Sequence, residues 1–90
     1  MSRHVMPLSA AAHLEWGYNR PLHNVFAHLV VDGEFVDNRG LDRFIPTVRE
    51  LIPAIDAMIA EHHAPALTEV DRAIITHQLV HDGADIGTPA

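Results

Sequence analysis

His77 and His81 stand four residues apart, the spacing that places two imidazoles on one face of a helix and suits chelation of a divalent metal. His62-His63, directly after Glu61, could add ligands if the neighbouring segment folds back. The plainer alternative is a pair of hydrogen-bonded histidines at the edge of a core or interface, because no acidic motif accompanies them. The remaining histidines, His4, His13, His23 and His28, share no spacing that forces them together. No glycine-rich phosphate loop, nucleophile elbow or paired-carboxylate motif occurs. Ser2 and Ser9 are the only serines, neither in an activating context, and the absence of cysteine removes thiolate chemistry and thiolate metal sites. An autonomous active site is not legible in the chain.

The positions of these residues depend on the elements that carry them. Ninety residues of which 48% are apolar make one domain, residues 1–90, near the lower size limit for independent folding. Residues 1–7 and 84–90 read as flexible arms. The periodicity predicts an all-α fold of about four helices. Ser9 caps Ala10–Trp16, which Gly17 ends. Asn19 caps a second helix with Leu22, Val25, Phe26, Leu29 and Val30 at helical spacing. Asp32-Gly33 is also a hairpin signal, weighed below the helix ending because the 3.6-residue period begins well before it. Leu41–Glu61 aligns on itself as LDRFIPT, VRELIPA and IDAMIAE, a broad apolar stripe of heptad spacing. Pro46 breaks that segment, and Thr47 with Glu50 restarts it as a central helix, Thr47–His62, kinked near Pro53. Pro65 ends it, and Thr68 with Asp71 opens a last helix running to His81.

Composition narrows the function. All six basic residues are arginine, the formal charge is −6, and such a surface repels phosphate backbones, so nucleic acid is not an expected partner. No run of ~18–20 apolar residues could span a membrane, and Met1–Ala12 lacks a signal-peptide core; a cytoplasmic location follows as the expectation.

The order of features resembles the N-terminal half of nitrile hydratase β subunits. Glu15-Trp16, Arg20, Leu22 and Leu29-Val30-Val31-Asp32-Gly33 match that family's opening helix. Gly33-Glu34-Phe35, Asp42 and Arg43 match its Gly-x-Phe…Asp…Arg stretch, and Pro53, His62-His63 and Leu79–Gly83 follow in the family's order. The resemblance implies a small helical subunit of a heteromeric nitrile hydratase or thiocyanate-hydrolase-type lyase. Such a chain binds no cofactor itself. Co(III) or Fe(III) belongs to a cysteine-bearing α-type partner, and a C-terminal β-type subunit completes the assembly. Arg43 is then the guanidinium that donates to oxidised cysteine sulfurs, with Arg39 as its competitor, and His62 and His63 replace the family's aromatic pocket pair. Activator proteins of the family share the pattern, which implies a metallochaperone-like role as a close relative. From a different class, a non-enzymatic interaction or regulatory protein could homodimerise through the Leu41–Ile59 stripe.

Overall fold

The computed structural model describes residues 2–87. Four strands, β1 (His4–Pro7), β2 (Ala12–Asn19), β3 (Asn24–Val31) and β4 (Glu34–Arg39), are followed by two helices, α1 (Val48–Glu61) and α2 (Glu69–His81). The strands form one antiparallel sheet in the order β1-β2-β3-β4. The fold is therefore α+β, and the expected all-α architecture is wrong through the first half of the chain.

The reason lies in two faces that are both apolar. Along β2, Ala12, Leu14, Trp16 and Tyr18 alternate with His13, Glu15 and Gly17, a strict period of two. Their cross-strand partners include Leu29 for Leu14, Ala27 for Trp16 and Val25 for Tyr18, so one face of the sheet is continuous and buried. Phe26, His28 and Val30 occupy the opposite face of β3. A strand apolar on both faces satisfies the i, i+3, i+4, i+7 template by coincidence. Ser9 caps a turn: its hydroxyl accepts from the backbone N–H groups of Ala11 and Ala12. Asp32-Gly33 forms the two-residue hairpin turn, with φ of 52° and 78°, the positive pair a type I′ turn requires. His4–Pro7, read from sequence as part of an arm, forms the edge strand β1.

The second half follows its sequence signals. Thr47 caps α1 by accepting from the Glu50 N–H, and Pro53 sits exposed inside that helix. Thr68 and Asp71 form a reciprocal capping box at the start of α2. Both helices pack on the same sheet face: α1 against β3 and β4, α2 against β2 and α1. The heptad stripe is consumed by this packing. Ile45, Val48, Leu51, Ile55, Met58 and Ile59 are buried, leaving Leu41 and Phe44 exposed. From Ile45 to Ile59 most of the stripe is an internal seam of the chain.

The segment after α2 returns to the start of α1. Asp85 and Ile86 offer their carbonyls to the N–H groups of Val48 and Arg49 at 3.0 Å, satisfying donors that a helix start leaves open. Ala84 is buried beneath it. Of the C-terminal arm expected from sequence, residues 88–90 lie outside the described residues. Gly40, at φ 92°, closes β4 so tightly that a Cβ would stand 2.3 Å from the Val25 carbonyl oxygen. Among the described residues no helix is long and apolar enough to cross a membrane.

Candidate functional site

A cleft of about 650 Å³ opens between the end of β4, the loop that follows it, and α1. Asp37, Asn38 and Arg39 supply one wall, Asp42, Arg43 and Phe44 the rim, and Glu50 and Ala54 the helical side. The sheet dictates this placement. Asp37 and Arg39 pair with Leu29 and Ala27, so both project to the helix-covered face, but at the edge strand they reach the end of α1.

There the charges interlock. His62 donates from Nε2 to Asp37 Oδ2 at 2.9 Å, and Arg39 Nη1 stands 3.0 Å from Asp37 Oδ1. Arg39 also reaches Glu61 and donates to the Asn38 carbonyl oxygen at 2.8 Å. Partial burial works to raise the Asp37 carboxyl, but donation from His62, Arg39 and the Asn38 N–H outweighs it and holds the group below the usual aspartate range. Arg39 is thus fixed between two carboxylates. Arg43, on the exposed rim of the same cleft, makes no hydrogen bond or ion pair among the described residues.

The structure therefore places Arg39 and Arg43 on one cleft, with His62 joined to its wall through Asp37, and separates them from the other candidates. His63 does not share the site of His62. It is the first residue past the helix cap, with φ 55°; its N–H bonds the Ala60 carbonyl and that of Ala64 bonds Ile59. This pair of reverse bonds is a Schellman ending, normally built on glycine. His77 and His81 lie on the exposed face of α2, and the residues that helix buries are Ile75 and Leu79. No three metal-capable side chains stand together among the described residues. Glu15 and Trp16, which the resemblance places at a helix start, face opposite sides of β2: Glu15 pairs with Arg3 and His13 outside, and Trp16 is buried inside.

Sequence reasoning missed Asp37, which organises the cleft, because its partner His62 is 25 residues away and no motif links them. It also missed His4, whose ring stacks on Trp16 with centroids 5.8 Å apart while Nε2 meets Asp82 at the end of α2. His28 was singled out by nothing in the sequence. On the uncovered sheet face it lies between Phe26 and Phe35, with Nε2 buried and unpartnered. Compared with protein-family models, with curated proteins and with solved structures, the chain matches none.

Proposed function

We infer that the chain is a binding subunit without chemistry of its own, which presents Arg43 from the rim of the β4–α1 cleft to an anionic group on a partner. The observation that carries this reading is the contrast between two arginines on one cleft. Arg39 is neutralised by Asp37 and Glu61, whereas the exposed Arg43 guanidinium has no hydrogen bond or ion pair among the described residues. Exposed Phe44 and Leu41 beside it offer apolar contact around that charge. A planar guanidinium flanked by apolar surface is the usual composition of an interface anchor.

A narrower form follows the hydratase resemblance. The anion would be the sulfenate and sulfinate oxygens of a partner's cobalt or iron centre, and Arg43 would act as a charge-assisted donor to them. The free Arg43 favours that form; the strands standing where its opening helix was expected weigh against it.

The test is recovery of partners from the native cell with tagged wild-type, Arg43→Glu and Arg49→Glu chains. A stoichiometric partner retained by Arg49→Glu and lost with Arg43→Glu supports the reading. Identical recovery by all three overturns it.

A further inference from the structure

An antiparallel sheet in the order β1-β2-β3-β4 leaves two strands with one side unpaired, and each such edge is a template on which a further strand can add. The β1 edge is short, four residues ending on Pro7, which has no N–H to offer. The β4 edge has no such protection in its sequence. Glu34–Arg39 holds no proline or lysine, and Phe35 and Val36 are 53% and 38% exposed.

Along an edge strand, alternate residues turn both backbone groups to the neighbouring strand, and the residues between them turn both outward. The two-residue turn makes Val31 and Glu34 an inward-bonded pair, which turns Phe35 outward; past the bulge that leaves Val36 unpaired, Asn38 is the next outward residue. Both of its backbone groups are already taken. The Asn38 N–H donates to Asp37 Oδ1 at 2.8 Å, and its carbonyl oxygen accepts from Arg39 Nη1 at 2.8 Å. Those two side-chain atoms stand 3.0 Å from each other, so Asp37 and Arg39 close a clasp over the residue between them. Helix α1 holds the clasp from behind, through His62 on Asp37 Oδ2 and Glu61 on Arg39.

We propose that Asp37 and Arg39 are an edge guard: by occupying the outward N–H and carbonyl of Asn38 with side chains of the same chain, they stop the β4 edge of a second copy from pairing there and extending the sheet between molecules. An ion pair that served stability alone could bridge strand and helix without touching the backbone between its members. Here both members turn back onto it. An incoming strand has to break two charge-assisted bonds before it makes its own. A second copy is the strand to be excluded, because every molecule presents the same β4 edge to its neighbours. The guard also means that a partner at the β4–α1 cleft engages side chains and does not add a strand at Asn38.

The test is sedimentation velocity on the wild type, on Asp37→Ala with Arg39→Ala, on that double variant with Asn38→Pro added, and on Asp56→Ala. The double variant frees both backbone groups of Asn38 and should form larger species than the wild type at the same concentration. Asn38→Pro removes the freed N–H at a strand edge, where proline is tolerated, and should return the double variant to the wild-type distribution. Asp56→Ala breaks an ion pair with Arg72 between the two helices and should sediment as the wild type does, which controls for association driven by lost stability. A folded double variant with the wild-type distribution overturns the proposal. So does assembly that persists with Asn38→Pro, or that Asp56→Ala reproduces. Should the double variant not fold, hydrogen exchange on the wild-type chain decides. After correction for intrinsic rates, the Asn38 amide should exchange at least about tenfold more slowly than the Phe35 amide, which faces outward without such a clasp. Equal rates would mean an unguarded edge. Arg43 takes no part in the clasp, so failure here and failure of the cleft reading are separable.

Discussion

The imidazole of His4 and the carboxylate of Asp82 lie 2.6 Å apart although 78 positions separate them, and this contact ties the edge strand to the end of the last helix. Strand β1 has only four residues, and its start is held as well by the Ser2 N–H bond to the Tyr18 carbonyl oxygen at 3.1 Å. Asp82→Ala should destabilise the chain by about 1 kcal/mol. Burial works to raise the Asp82 carboxyl, but hydrogen bonds from His4 and Ser2 outweigh it and hold the group below its ordinary value of 3.8. A depressed carboxylate stabilises the fold above that value, and the contribution is lost as pH falls through the lower folded pKa. Trp16 is the only tryptophan and stacks on His4, so its fluorescence reports the latch directly. Asp82→Ala should shift its emission at neutral pH and reduce the pH dependence of unfolding below about pH 4.

The two arginines of the cleft should separate stability from association. Arg39→Ala leaves Asp37 and Glu61 without their shared cation and is expected to cost about 1 kcal/mol, measured by urea unfolding. Arg43→Ala breaks no contact and should cost no more than ~0.5 kcal/mol. If the partner centre is of the hydratase type, the same change should lower turnover of the reconstituted assembly by ~10²–10³-fold. Arg43→Lys should rescue poorly, since an ammonium cannot reproduce the planar fork. Equal destabilisation by both alanine changes would contradict the division of roles.

His28 should make the fold acid-sensitive in the histidine range. Its pKa is lowered from the ordinary 6.5, chiefly by burial and further by the nearby Arg3 charge, which the Glu15 charge only partly opposes. A lowered histidine pKa means that the folded state resists protonation. The stability tied to neutral His28 is present above 6.5 and declines as pH falls through the folded value. Melting curves at pH 7.5 and pH 5.5 should differ more for the wild type than for His28→Gln. An equal shift in both would remove His28 as the cause.

His63 is a helix terminus in a conformation that favours glycine. With φ of 55° it carries a Cβ where the left-handed region disfavours one, so His63→Gly should stabilise the chain by about 0.5–1 kcal/mol. The measurement is the urea midpoint. A loss of stability would mean that the imidazole makes a contact outweighing the backbone strain.

What the sequence determined by itself is local. Thr47 with Glu50 and Thr68 with Asp71 start the two helices where their spacing predicts, because a cap bond spans three residues and needs nothing distant. Asp82-Gly83 ends α2 in the expected way, with Gly83 at φ 107°. Side-chain periodicity in the second half and Asp32-Gly33 as a turn signal were equally present in the residues. The first half was decided by tertiary structure. Val25, Phe26, Leu29 and Val30 fit helical and extended spacing alike, and what selects the strand is pairing with β2, whose Leu14, Trp16 and Tyr18 supply the other half of the buried face. The same sheet took Val48, Leu51, Ile55, Met58 and Ile59 of the stripe out of solvent and left Val70 and Ile74 of α2 exposed. The Asp37–His62, Arg39–Glu61 and His4–Asp82 contacts join residues 25, 22 and 78 positions apart. Such pairs depend on which face each strand turns toward the helices, and a one-residue change of register would dissolve them while leaving every local signal intact.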